Sequence, residues 1–475
     1  MILPLRSARH YFVVVCLFIT TSLPVYAASK ANINVTEAGL VSLDNQFHNF
    51  STHFYTALVR LDNYPKSKTI ESLAETIKRE RMQGQPINAT AAVINNLGLV
   101  EKNIDTTPII AICDLLLETN EWNTASQLYK KVKKQGDKSL VSNVSLSMAK
   151  YYFSRNQWKE TIGLVEAIRS DLPPEDYHYA LLLYGISLQR LQKHRSALTQ
   201  YEKIPKTSRY YATARLNMAI ADIRQDWWTD AHIIINDLLS DKLRKRNEQL
   251  TDRLYTVLGY SLLQQQYFRN SREAFRNVSL DGQYTHKALL GIALTAAYQE
   301  DYIGALNAIK NLKDNKIRDL PVDEANLLMP YFYEKLQQQT TASAGYVDAI
   351  KYYEERTNNI KQAMLIDATS IRRQLVSTNH STITIQGEIV DMGEKLPSFI
   401  FDNIRTIAQF EPQIERIGDA VLKREYNALT DAYNAALQKA VQDILTEKTA
   451  HLIHYMNQSR YGLARLQDNN ATIPQ

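Results

Sequence analysis

Four sets of residues recur in fixed phase through the middle of the chain, and they limit its fold more than any other feature. A small residue stands at Cys113, Ala149, Gly185, Ala219, Gly259 and Ala293, at intervals of 36, 36, 34, 40 and 34 residues. Nine residues after each comes Trp122, Trp158, His194, Trp228, Phe268 or Tyr302. Three further on the residue is small again: Ala125, Thr161, Ala197, Ala231, Ser271 and Ala305. Four beyond that it is large, at Tyr129, Val165, Tyr201, Ile235, Phe275 and Ile309. Self-similarity at such a period is the mark of a stacked helical array.

The columns make physical sense as helix hairpins. A small residue in the first helix lets the second approach closely, and the aromatic at the turn covers the end of the pair. The second small residue and the large one follow four apart, so they share one face of the second helix. One hairpin cannot bury its own apolar face, so the units must stack. Composition agrees: 15 Gly and 13 Pro in 475 residues are too few for the turns of a β-sandwich, while 45% hydrophobic and 22% charged residues suit a globular chain.

This pattern resembles the tetratricopeptide repeat, over roughly Asp105 to Leu312. A seventh, degenerate unit is expected with Tyr346, Ala349 and Tyr353 in its turn, small and large columns, 44 residues from Ala305 to Ala349, and a first helix near 323–336. The expected architecture is all-α, with a tetratricopeptide-like solenoid over 105–357 (six clear units and the degenerate one). A helical cap region at 29–104 precedes it, where Phe47, Phe50, Phe54 and Leu58 keep helical spacing without the columns. Long helices follow at 358–475. Residues 327–355 and 459–468 also look like exported tetratricopeptide proteins of gammaproteobacteria, a likeness that supplies no function.

Leu422, Tyr426, Leu429, Tyr433, Ala436, Ala440 and Ile444 step by three or four. They predict one amphipathic helix of roughly 50 residues after Pro412. A second helix is expected from about Tyr346 to Leu375. Between them, residues 381–387 alternate like a strand, but a lone strand has nothing to pair with, so a loop is expected. The long helices predict a helical hairpin or coiled-coil stalk, a route to self-association.

Residues 1–28 read as a secretory signal. Arg6 and Arg9 precede the short apolar run Tyr11 to Ile19, and Val25-Tyr26-Ala27 forms a cleavage site, so the mature chain starts near Ala28 or Ser29. The alternative is an uncleaved anchor. Cys16 follows three valines rather than a small residue, which argues against lipidation. Cleavage leaves 53 basic and 50 acidic residues, too even a balance to point to nucleic acid. It also leaves Cys113 as the single cysteine, so no intrachain disulfide can form. An exported chain of this size without disulfides suits the periplasm of a Gram-negative bacterium.

No motif for chemistry survives scrutiny. There is no Gly-rich phosphate loop, no His-Glu-x-x-His and no Gly-x-Ser-x-Gly. His451 and His454 read as an ordinary helix face rather than metal ligands, and Cys113 as core. Glu411, Glu415 and Glu425 read as the solvated side of a helix. The expectation is therefore no enzyme, no cofactor and no metal. The resemblance implies a concave groove, and its positions carry over to Lys150, Tyr179, Arg190, Arg224, Tyr260 and Tyr298. Tyr and Arg are frequent binding anchors, and such a groove suits an extended peptide or a partner's tail. Lys242, Arg244, Lys245 and Arg246 fall in the longest interval, either as a solvated helix extension or as a dock for an acidic partner. The expected function is a periplasmic scaffold or adaptor for protein partners of a cell-envelope assembly, with no nucleic acid and no small-molecule substrate. The alternatives are a periplasmic chaperone for an exported substrate and an envelope hydrolase with a repeat annex.

Overall fold

The computed structural model describes residues 37–61, 66–168, 172–240, 248–314, 317–378 and 380–471. The signal at 1–28 and the basic stretch Lys242 to Arg246 lie outside the described residues. Among the described residues four helices come first: α1 (Glu37–Leu61), α2 (Ile70–Met82), α3 (Pro86–Asn95) and the short α4 (Leu97–Lys102). Seven hairpins follow. They are α5 (Pro108–Glu118) with α6 (Trp122–Gln135), α7 (Lys138–Ser154) with α8 (Trp158–Ala167), and α9 (Pro174–Arg190) with α10 (His194–Tyr201). Next come α11 (Tyr211–Ile223) with α12 (Trp228–Ser240), α13 (Glu248–Gln264) with α14 (Phe268–Arg276), and α15 (Thr285–Tyr298) with α16 (Tyr302–Lys313). The seventh is α17 (Leu320–Lys335) with α18 (Gln339–Ala363). Among the described residues no helix is long and apolar enough to cross a membrane.

Every hairpin turns by the same device. Asn120, Asn156, Gln192, Asp226, Gln266, Glu300 and Gln337 have φ between 57° and 62°, and each stands two residues before its second helix. The left-handed conformation costs a residue with a Cβ about 1–2 kcal/mol. What offsets it is a closing hydrogen bond: the next backbone N–H donates to the carbonyl five residues back, at 2.7–3.0 Å in all seven turns. That is the Schellman closure, which satisfies carbonyls otherwise orphaned at a helix end.

The columns meet as their sizes require. A methyl added at Gly185 would run into the Tyr201 ring. Phe275 is held between Gly259 of its own unit and Gly291 of the next, and a methyl at either would strike its ring. Cys113, Ala149, Ala219 and Ala293 are fully buried, as are Ala125, Thr161, Ala197, Ala231, Ser271 and Ala305. The architecture is an all-α, tetratricopeptide-like solenoid.

The seventh unit departs from its expected register. Gln337 is its left-handed residue, so its columns are Gln339, Ala342 and Tyr346. These lie seven residues before Tyr346, Ala349 and Tyr353, and Ala342 is 37 residues after Ala305 rather than 44. A shift of seven is two helical turns and keeps the same face, so the pair Ala349 and Tyr353 imitates Ala342 and Tyr346. All four are buried. Pro330 stands in the small column of α17.

The C-terminal third consists of α19 (Ala368–Thr378), β1 (Thr382–Ile385), β2 (Glu388–Asp391), a 3-10 turn at Met392–Glu394, α20 (Ser398–Ile417) and α21 (Ala420–Ala471). The helix expected from Tyr346 to Leu375 is two helices, broken between Ala363 and Ala368. The segment expected to be a loop is a β-hairpin. β1 pairs antiparallel with β2, with Ile383 opposite Val390. Gln386 and Gly387, at φ 51° and 79°, form the tight turn that matches the twist of such strands. The lone strand had its partner immediately after the turn.

The long helix is present at 52 residues, about 78 Å at 1.5 Å per residue. It does not project as a stalk. Its apolar face, including Leu422, Tyr426, Leu429, Tyr433 and Leu437, shares one core with Phe47, Phe50 and Phe54 of α1 and with Tyr353 and Ile360 of α18. Phe410 of α20 lies 4.1 Å from the Phe54 ring. The seventh hairpin therefore rests on α21 directly, and the first hairpins meet the C-terminal helices through α1 and through Arg155 over Phe399.

Candidate functional site: the partner-binding faces of the array

The six groove positions fall into three groups. Lys150 is exposed and lies 5.5 Å over the Tyr179 ring, which in turn sits 5.1 Å from Tyr210. Tyr179 is half-buried, and burial followed by its neighbour Tyr210 raises its pKa. These residues line successive first helices. Arg190, Arg224 and Tyr298 form a second group, each four residues before its own turn residue. Arg190 and Tyr298 cover the turn residue of the unit before them, and Arg224 acts on its counterpart electrostatically. Arg190 lies 5.6 Å over Trp158, and Tyr298 stacks on Phe268 at 4.9 Å with 5° between planes. Arg224 is close enough to His194 to help burial lower its pKa. This ladder staples successive hairpins at their turn edge. Tyr260 is a correction: it is buried at 6% exposure, edge-on to Phe275, and its hydroxyl donates to the Lys287 carbonyl at 2.7 Å. It packs the core rather than offering itself to a groove.

The residues tested for chemistry are built into structure. Cys113 is buried, and burial, then Asp114, pushes its thiol up to about 12. Glu415 pairs with Lys423 at 2.8 Å, and Glu425 with His53 at 3.0 Å. His454 bonds the Gln458 amide at 2.7 Å. Among the described residues no three His, Cys, Asp or Glu side chains gather as a metal site.

Two buried ionic junctions tie the C-terminal helices to the array. In the first, Arg155 at the end of α7 donates to Asp44 of α1 through Nε at 2.8 Å and Nη2 at 3.3 Å. Nη2 also reaches Oδ1 of Asn120 at 2.8 Å, in the first hairpin turn. Its guanidinium lies 3.4 Å over the Tyr151 ring and 4.9 Å over Phe399 of α20. Asp44 accepts in addition from Asn403 at 3.2 Å, and Asn403 donates to the Tyr433 hydroxyl of α21 at 2.6 Å. His48, hydrogen-bonded to the Tyr151 hydroxyl at 2.5 Å, is driven down to about 4 by burial, against the pull of Asp44.

In the second junction Arg356 of α18, 2% exposed, holds Asp323 of α17 and Glu388 of β2, each at 2.8 Å. Asp323 also accepts from the Tyr352 hydroxyl at 2.7 Å. Lys448 of α21 stands 3.8 Å from Glu388 and donates to the Ile389 carbonyl at 2.6 Å. Burial raises Asp323 to about 6, with Arg356 opposing, and burial raises its neighbour Glu324 to about 8. These shifted acids are buried where the seventh hairpin meets the C-terminal third.

An open recess of about 510 Å³ lies between the fourth and fifth hairpin turns, with Asp226, Trp227, Trp228 and Asp230 on one side and Tyr267 on the other. Sequence reasoning used Trp228 as a column residue and passed over its neighbours. The available signal was a second tryptophan beside an acid at a turn. The junction residues Asp44, Arg155, Arg356 and Glu388 were also missed, because nothing local distinguishes them from solvated charges.

No family model matches the chain, and no curated protein matches it. Solved structures resemble it at low identity. The C-terminal part of a TPR repeat-containing protein from Cytophaga hutchinsonii is 15% identical, with 51% of this chain and 94% of that one covered and a TM-score of 0.43. The apo form of RapI is 14% identical, covering 73% and 97%, with a TM-score of 0.46. PilF of Pseudomonas aeruginosa is 15% identical, covering 54% and 95%, with a TM-score of 0.32.

Proposed function

We propose that this chain is a non-catalytic scaffold or adaptor that binds protein partners of a cell-envelope assembly in the periplasm. The observation that carries the binding role is the clamping of the array. Seven hairpins are held at both ends by buried charge networks that share α21, so the surface they present is preorganised. Preorganisation lowers the ordering cost that association otherwise meets. Tyr179, half-buried on that surface beside Lys150, is of a type that anchors partners. Export is supported by the charged and apolar pattern of residues 1–28 and by the single cysteine of the mature chain.

Crosslinking in whole cells followed by mass spectrometry tests the scaffold. Envelope proteins are expected to be recovered with the full chain and depleted in the double variant Lys150→Glu, Tyr179→Ala. A chain that stays monomeric and recovers nothing above a mock control refutes it. Export is tested separately by fractionation and N-terminal sequencing. The expected mature start is Ala28 or Ser29, and full-length protein in the cytoplasm refutes it.

A further inference from the structure

We propose that the recess between the fourth and fifth hairpin turns receives an arginine side chain from an exposed basic segment of a protein partner. This rests on the scaffold reading and specifies where and what that scaffold binds.

The walls of the recess carry two exposed carboxylates, Asp226 and Asp230, and the rings of Trp227, Trp228 and Tyr267, with no lysine or arginine among the described residues that line it. A guanidinium satisfies both kinds of wall at once. It stacks on aromatic faces and donates charge-assisted hydrogen bonds to carboxylates.

The repeat supplies an internal comparison. Between the third and fourth units, Arg195, one residue after the turn residue His194, lies 5.3 Å over the Trp227 ring. Between the fifth and sixth, Arg272, four residues after Phe268, reaches across to Asp301 at 2.9 Å. Both neighbouring junctions thus place a guanidinium between successive turns. Between the fourth and fifth units the corresponding positions hold Thr229 and His232. His232 lines the recess but is engaged by the Ser261 hydroxyl at 2.7 Å, and burial lowers its pKa, so it does not supply the charge. The position matching Asp301 is Tyr267, which is 60% exposed, and Ile233 beside it is exposed to the same extent. The junction has a ring, Tyr267, where its neighbours have Trp227 and Asp301, adds acids at 226 and 230 where the neighbouring units have Gln192 and Ser196 or Gln266 and Asn270, and among the described residues has no arginine at the positions of Arg195 and Arg272. An arginine from outside completes it, and Ile233 offers apolar contact to the residue beside that arginine.

The test uses the full chain and fluorescein-labelled Gly/Ser peptides bearing two arginines, two citrullines of the same shape without charge, or two glutamates. By fluorescence anisotropy the arginine peptide binds saturably, and the citrulline peptide about tenfold more weakly or worse. The glutamate peptide does not bind. The double variant Asp226→Asn, Asp230→Asn weakens the arginine peptide by a similar factor, and asparagine tolerates the left-handed backbone at 226. Asp237→Asn, which removes one carboxylate at an exposed site on α12, leaves binding unaltered. Equal affinity for the arginine and citrulline peptides, no saturable binding at millimolar arginine peptide, or undiminished binding by the double variant overturns the proposal. In cells, equal recovery of crosslinked partners by the wild type and the double variant overturns the recess while leaving the scaffold standing. Recovery of no partner by the wild type overturns the scaffold itself.

Discussion

Replacing Arg356 with methionine keeps most of the buried stem and removes the charge that joins α17, α18 and β2. The two carboxylates it holds are 4% and 0% exposed, so water cannot take its place. Asp323 retains the Tyr352 hydroxyl, and Glu388 retains only Lys448 at 3.8 Å. Each must stay charged without its partner or take up a proton. Asp323 is already raised to about 6, so completing its neutralisation at pH 7 adds about 1–2 kcal/mol. The deficit expected at pH 7 is about 3–5 kcal/mol, the range for breaking a buried pair from one side. A carboxyl whose folded pKa rises above its unfolded value destabilises the fold as pH climbs through that interval. The Asp323 share of the deficit is therefore smaller near pH 5 than at pH 7. Urea unfolding followed by circular dichroism at both pH values measures it. Amide exchange should show lost protection confined to α17, α18, β2 and the adjoining turns of α21. The triple variant Arg356→Met, Asp323→Asn, Glu388→Gln should recover to within about 1 kcal/mol of wild type, because no buried charge is left unpaired. A deficit below about 0.5 kcal/mol, or one of equal size at pH 5 and pH 7, would refute the reasoning.

Three further outcomes are expected. Gly185→Ala forces a methyl into the Tyr201 ring and should cost about 1–3 kcal/mol in urea unfolding. His48, held down at about 4, contributes stability that is full above its unfolded pKa of about 6.5 and lost as pH falls toward 4. The wild type should accordingly lose about 3 kcal/mol more than His48→Gln between pH 7 and pH 4. Glu324, raised to about 8, penalises the fold increasingly as pH rises above its unfolded value. Glu324→Gln should stabilise by about 2–4 kcal/mol at pH 8 and change little at pH 4, measured by the same unfolding series.

The hairpins were legible because their contacts are local. Gly185 meets Tyr201 sixteen residues away, and Gly259 meets Phe275 at the same interval, so one period of sequence holds both partners. The seventh unit misled because Ala349 and Tyr353 repeat Ala342 and Tyr346 after two turns on the same face, while Gln339 replaces the turn aromatic. The β-hairpin was missed because its turn is Gln386-Gly387, not the Asn-Gly that announces such turns. Of the groove positions, Lys150 and Tyr179 lie together on the surface, whereas Tyr260 turned inward because the neighbouring Phe275 offers its ring an apolar bed.

Sequence alone determined that the chain is helical, that its middle stacks hairpins, and that a long amphipathic helix closes it. Each of those follows from spacing within one helix or one repeat. Only the tertiary structure decided that the long helix lies back against α1 and the seventh hairpin, and that Arg155 and Arg356 are buried clasps rather than solvated charges. Asp44 reaches Arg155 across 111 residues and Asn403 across 359, and His53 meets Glu425 across 372. Pairings at such separations leave no periodicity to read. The same holds for the recess, where two acids and three rings became a candidate arginine site only once adjacent turns stood side by side.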